Sequence, residues 1–271
     1  MPKIDLGTIG AVVNPGEGFV DTVAAVEQLG YATIWLTGGP LEGLHQLAEA
    51  VRATDRARIA SGIIAVDRFD ADDVVALHAD LETSHPGRFV LGLGGAHGAR
   101  PIDTLNAYLD RLDAASIPAS SRVLAALGPR MLDLARERAA GAFPVLVTAE
   151  YTARARARLG DDTTLAVEQL VVVDDDPDRA RATAGAPLGF LGSMPQYQSS
   201  FRRQGFGDDE IAGRADRLVD ALVPWGDADT VAARVSGQLA AGADHVAVSV
   251  TTPPGADPLD GFRRLADRLL T

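Results

Sequence analysis

Along this chain short unbroken apolar runs alternate with longer segments in which apolar residues recur every three or four positions, and the alternation continues through the 271 residues. The runs at 4–13, 33–36, 58–66, 89–93, 123–126, 143–147, 165–173 and 245–250 lack polar alternation, which predicts strands covered on both faces. Helices are predicted at 19–29, 44–53, 70–82, 102–115, 129–138, 149–159, 227–241 and 259–270, with another starting at Asp176-Pro177. Asp70-Ala-Asp-Asp73 puts acid at a helix N-terminus, Pro129 sits in a first turn, Asp227 is placed to cap, and His85-Pro-Gly87 stops the helix before it.

Eight strand-helix units result. Leu29-Gly-Tyr31, Ala140-Gly-Ala142 and Ala241-Gly-Ala243 form a weak repeat, each lying between a helix and the next strand. The rhythm breaks at 186–224, which reads as an insertion before strand eight. The fold expected is α/β, a closed (β/α)8 barrel forming one domain over 1–271, with 186–224 as an insertion within it. An open doubly wound sheet competes, but its phosphate fingerprint belongs after the first strand, and Ile9-Gly-Ala-Val-Val-Asn14 lacks that glycine spacing.

Composition narrows the chemistry. Apolar residues make up 46% and charged residues 23%, an ordinary globular balance. With no cysteine there is no disulfide, thiolate ligand or cysteine nucleophile. No basic leader and no apolar run near ~18 residues are seen, so the expectation is a cytoplasmic chain with no membrane partner. A formal charge of −12 argues against nucleic acid as a partner. Lys3 is the only lysine, which disfavours Schiff-base chemistry in a barrel pocket. No His-x-His pair or comparable cluster falls at a strand end, so no metal is expected.

In such a barrel the chemistry sits where strands end and helices begin. Those loops are rich in glycine here. They are Thr37-Gly-Gly-Pro40, the strand with Gly62, Gly92-Leu-Gly-Gly-Ala-His97, and Leu127-Gly-Pro-Arg130. A glycine inside a strand, as at Gly62, marks either tight packing or a bulge that lets a flat ligand approach. A Gly-Pro loop opening a helix can present amides to a phosphate, though it is also ordinary turn punctuation.

The sequence at these positions resembles the luciferase-like monooxygenase superfamily, and within it the oxidoreductases that use coenzyme F420, an 8-hydroxy-5-deazaflavin. The resemblance covers nearly the whole chain. It is carried by Leu29-Gly-Tyr-Ala-Thr-Ile-Trp35, Ala60-Ser-Gly-Ile-Ile64, Ser84-His-Pro-Gly-Arg-Phe-Val-Leu-Gly-Leu-Gly94, Leu124-Ala-Ala-Leu-Gly-Pro-Arg-Met-Leu-Asp-Leu-Ala135 and Asp216-Arg-Leu-Val-Asp-Ala-Leu-Val-Pro-Trp-Gly226. It implies a tricyclic cofactor leaning on a bulge at the end of strand three, with a non-prolyl cis peptide at Gly62-Ile63. The cofactor-binding positions that follow are Thr37, Gly38, Gly39, Gly62, Ile63, Ile64, Gly94, Gly95, Leu127, Gly128, Pro129, Arg130 and Thr148, the Gly128 loop and Thr148 being implied for the phosphodiester.

Two departures touch chemistry. Many deazaflavin enzymes carry Asp-His after strand two, where this chain has Gly38-Gly39, and some carry Glu after strand four, where it has Gly95. His97 is then the one histidine directly after a strand's C-terminal end, and it is the candidate proton donor; a loop or cofactor hydrogen bond is the competing role. Three functions follow. They are hydride transfer between coenzyme F420 and a small organic substrate, an FMN monooxygenase on the same barrel, or a non-catalytic binder of either cofactor. A homodimer is compatible with all three.

Overall fold

The computed structural model describes residues 3–270. Eight parallel strand positions close into a ring in which β1 (Ile9–Val13) pairs with β2 (Thr33–Thr37), β2 with β3 (Arg58–Gly62), and β3 with β5 (Phe89–Gly94). From β5 the ring continues through β6 (Arg122–Leu124), β7 (Gly141–Ala142), β8 (Thr164–Val171) and β9 (His245–Val250) back to β1. The ninth segment, β4 (Ile64–Ala65), continues β3 and bonds to the far end of β5 outside the ring. This is the expected (β/α)8 barrel.

The first strand and the sixth fall furthest short of the apolar pattern. Residues 4–8 do not pair, because Gly7 adopts a left-handed φ of 68° and Asp5 accepts from its amide, turning the chain before Ile9. Sixth in the ring, β7 ends at Ala142 although the apolar run continues to Val147. Pro144 has no amide to donate and Leu146 takes a φ of 55°, so only a single bridge from Val145 to Glu168 follows.

Around the ring lie α1 (Phe19–Gln28), α2 (His45–Arg52), α3 (Ala71–Ser84), α4 (Pro101–Ala114), α5 (Pro129–Arg138) and α6 (Ala149–Leu159). After β8 come α7 (Pro177–Leu191), α8 (Pro195–Arg203), α9 (Asp208–Gly213) and α10 (Asp216–Leu222), and then α11 (Ala228–Ala240) and α12 (Leu259–Leu269) complete the outer layer. Asp176 and Asp227 cap α7 and α11 through their side chains, as the sequence predicts.

Strand alternation sorts the apolar residues into three clusters. Outward residues such as Ile34, Leu36, Leu91 and Val246 meet the helices. Inward residues Val12, Trp35, Ala60, Val90, Val123, Phe143, Ala166 and Ala247 fill the barrel, with the Trp35 and Phe143 rings stacked at 3.9 Å. The third cluster joins the upper end of β8, at Leu170 and Val172, to Ala180, Leu188, Phe201, Ile211 and Leu222. Helices α7 to α10 therefore share a core of their own that rests on the C-terminal end of β8, and the region 186–224 lies within it.

Candidate active site

The C-terminal mouth is shaped first by a bulge. Ile59 pairs with Phe89 and Ala60 with Val90, but Ile64 then pairs with Leu93, so β3 and β4 take four steps where β5 takes three. The extra residue lies within Ser61-Gly62-Ile63. The Ser61 hydroxyl donates to the Gly92 carbonyl and accepts from its amide, both at 2.9 Å, replacing the ladder bonds that the bulge interrupts. The Gly62–Ile63 peptide is cis, at the bond the resemblance implied.

Neighbouring glycines exist largely to admit this bulge. A Cβ on Gly38 would stand 1.7 Å from the Ile63 carbonyl oxygen, and one on Gly92 would stand 1.8 Å from the Ser61 oxygen. Gly94 faces the Ile63 side chain and Ala125, while Gly95 has a φ of 75° and packs on Ala65. A Cβ at Gly62 would point down to Phe143 and Trp35 at ordinary contact distances. By contrast Gly39, Gly98 and Gly128 face space at the rim, with only Arg203 Nη2 at 3.9 Å from the last. Gly62 and Ile63 keep part of their surface open to the mouth, whereas Ile64 is buried against the helices.

His97 lies beside the bulge on the loop after β5. Its side chain is 55% exposed, and its Nδ1–H donates to the Asp67 carboxylate at 2.7 Å, since a carboxylate can only accept. Nε2 makes no hydrogen bond among the described residues. Asp67 comes from the loop after β4 and had no signature in the sequence beyond its position between two predicted elements.

A third feature is cationic. Gly128 begins α5 with Pro129 in its first turn, and Thr148 caps α6 by accepting from the Tyr151 amide. Arg203, at the end of α8, donates to the Leu127 carbonyl, while Arg154 Nη2 donates to the Arg203 carbonyl at 3.5 Å. Gln204 accepts from the Thr148 amide and donates to the Leu146 carbonyl. The helices after β8 thus bring a guanidinium to the N-terminal end of α5, where the helix dipole favours an anion. Arg130 is exposed on α5 itself. Thr37 ends β2 half-buried. Positions 37–39, 62–64 and 94–97 are therefore brought to one side of the mouth, and 127–130 with 148 to the next side along the ring.

Among the described residues, His245 and Glu168 are titratable groups that point into the barrel. At the opposite end His245 is held as neutral imidazole, its Nδ1–H donating to the Gly7 carbonyl at 2.7 Å and its Nε2 accepting from Trp35 Nε1–H at 3.0 Å. Burial lowers it to about 4. Glu168 points inward from β8, on the same face as Ala166 and Leu170. It is part-exposed at the floor of the mouth yet surrounded by protein, and loss of solvation raises its carboxyl to about 7. Tyr197 of α8 lies close enough that burial and the Glu168 charge together push its phenol up. The signal for Glu168 was a lone acid inside the apolar run 165–173.

Among the described residues, no cluster of His, Asp and Glu could hold a metal ion, and no helix is long and apolar enough to cross a membrane. The chain matches no family model and no curated protein. Solved structures do resemble it. An F420-dependent secondary alcohol dehydrogenase, solved with an F420-acetone adduct, aligns with a TM-score of 0.73 at 14% identity over 99% of this chain and 98% of that one. The F420-dependent tetrahydromethanopterin reductase of Methanopyrus kandleri gives 0.71 at 15% identity, over 97% and 98%. The oxygenating constituent of 3,6-diketocamphane monooxygenase from Pseudomonas putida, in complex with FMN, gives 0.64 at 14% identity, over 96% and 95%. Over its whole length this chain has the barrel fold that these F420 and FMN proteins share.

Proposed function

We propose that the chain is a luciferase-like oxidoreductase that binds coenzyme F420 across the mouth and moves a hydride between it and a small organic substrate. The observation that carries the reading is the pairing of the bulge at Ser61-Gly62-Ile63 with the Arg203-lined start of α5, at the two places where the sequence resemblance puts the ring and the phosphodiester. When bound, the deazaflavin supplies a carbon that gives or takes hydride. The chain's own residues would do the rest. The part-open Gly62 and Ile63 form a side-chain-poor backing for a flat ring, and Gly128, Arg203 and Thr148 would hold a phosphate. His97, aligned by Asp67, is the rim group with a nitrogen free to carry a proton.

A flavin mononucleotide monooxygenase is the second reading, supported by the likeness to the FMN-bound barrel. Titrating the protein with each cofactor separates the two. The deazaflavin is expected to bind at least ~10-fold more tightly, about 1.4 kcal/mol, and Arg203→Ala to weaken it while reducing its salt dependence. Equal or reversed affinities would remove the deazaflavin reading.

A further inference from the structure

We propose that Glu168 is a catalytic acid of this mouth, carrying a proton beneath the α7–α10 helices and giving it to the substrate heteroatom whose carbon gains hydride. The starting point is an unusual placement. Ala166 lies below Glu168 in the barrel's inner cluster, Leu170 lies above it in the cluster formed by α7 to α10, and its register partners Val145 and Ala247 are apolar on either side. Several other carboxylates of this chain are matched by arginine, among them Asp113 by Arg122, Asp133 by Arg158, Asp174 by Arg179 and Asp220 by Arg181. Among the described residues Glu168 has no such match, and burial raises its carboxyl. An acid in apolar surroundings without a cation is costly when ionised, so it keeps its proton well above the ordinary carboxylate range. A structural role would be served equally well by leucine or glutamine. What glutamic acid adds at this place is a proton that can leave.

The groups that face it are few. Tyr197 comes down from α8 and stays neutral because burial and the Glu168 charge both oppose its ionisation. Val145 and Ala247 carry no charge. His245, on the same face of β9 two residues before Ala247, is occupied by Trp35 and Gly7. Nothing among these supplies a competing proton at neutral pH.

The assignment rests on the oxidoreductase reading for its hydride and on this chain's own geometry for its proton. With a ketone or aldehyde as substrate and reduced deazaflavin as the hydride source, the carbonyl carbon accepts hydride with both electrons of the broken C–H bond. The carbonyl π pair moves to oxygen, and a new O–H bond forms there as the Glu168 O–H breaks. Alcohol and a carboxylate result, and the carboxylate regains a proton from water through the part-open mouth. In the reverse direction the carboxylate is the base.

Two measurements test this. Infrared titration of the protein without cofactor should show a protonated carboxyl band lost as pH rises through about 7, absent from Glu168→Gln. In the loaded enzyme Glu168→Gln should lower turnover by ~100-fold or more while cofactor affinity stays within about twofold. A carboxyl already ionised at about pH 5, or a band that Glu168→Gln retains, overturns the proposal. So does unchanged turnover in a variant shown to be folded by a cooperative melting transition. If the wild type binds neither cofactor, the oxidoreductase reading falls and takes the hydride step with it, whereas a missing infrared band removes Glu168 with that reading intact.

Discussion

Gly38→Ala is expected to dismantle the bulge from outside it. The added Cβ would lie 1.7 Å from the Ile63 oxygen, 2.7 Å from its carbonyl carbon and 2.8 Å from its nitrogen, and all three are backbone atoms that cannot rotate away. A carbon and a carbonyl oxygen rest at about 3.3 Å or more, so one of the two strands must shift by roughly 1.5 Å. Such a shift also lengthens the bond from the Gly38 amide to the Gly62 carbonyl, now 3.0 Å. Overpacking of this kind costs about 1–3 kcal/mol, and the weakened hydrogen bond adds about 1 kcal/mol. The melting temperature should therefore drop by roughly 4–8 °C. Gly39→Ala is the matched control, since a Cβ there meets nothing within 4 Å, and it should lie within about 0.5 kcal/mol of wild type. Denaturant unfolding and cofactor titration on both variants give the answer. If Gly38→Ala were as stable as Gly39→Ala, the bulge would not be what holds position 38 to glycine.

His245 should make the fold acid-sensitive. Its folded value near 4 lies below the ordinary 6.5, so the unfolded chain binds the extra proton first, and stability falls as pH drops from about 6.5 to about 4, by about 3 kcal/mol at the acid end. Glu168 has the opposite sign, contributing stability below about 4.5 that is lost as pH rises through about 7, so the His245 slope should be steeper in Glu168→Gln and absent when His245→Asn is added. A pH-independent melting temperature in Glu168→Gln across that window would contradict the buried neutral imidazole. His97→Ala should lower turnover by about 100-fold with cofactor affinity unchanged if Nε2 transfers a proton, and Asp67→Asn should reproduce part of that loss. If instead both variants lose thermal stability alone, the pair only ties the two loops together.

The barrel was legible because eight apolar runs of strand length separated by capped helices leave few alternatives, and β9 and α5 fall where the periodicity puts them. The end of β7 was not. An apolar run does not disclose that Pro144 lacks a donor for the ladder or that Leu146 turns left-handed. The glycines were legible as a group, and the resemblance puts Gly38 and Gly95 among the cofactor positions. In the structure the direction a Cβ would take is filled by the Ile63 backbone at Gly38 and by Ala65 at Gly95. Asp67 and Arg203 were illegible, because each reaches the site through a contact with a residue 30 or 76 positions away. Glu168 was written plainly in the chain, but its inward direction depends on strand parity, which a run counted as uniformly apolar hides.

At positions 38 and 95 an acid side chain is excluded by the backbone, by the Ile63 carbonyl in one case and by a left-handed φ against Ala65 in the other. An acid or base at positions 38 and 95 themselves is therefore closed to this chain unless the bulge itself changes. The remaining groups lie apart, since β5 and β8 are separated by β6 and β7 in the ring. His97 stands at the exposed rim, where water competes with any proton it offers. Glu168 stands deeper, where water is restricted and an O–H is held ready in apolar surroundings. A substrate small enough to reach the floor of the mouth would meet Glu168 first, and a bulky one held at the rim would meet His97. Comparing Glu168→Gln and His97→Ala on a short ketone and on a long one should then give losses that exchange places with substrate size. Losses of equal rank on both would mean that a single group serves every substrate the mouth accepts.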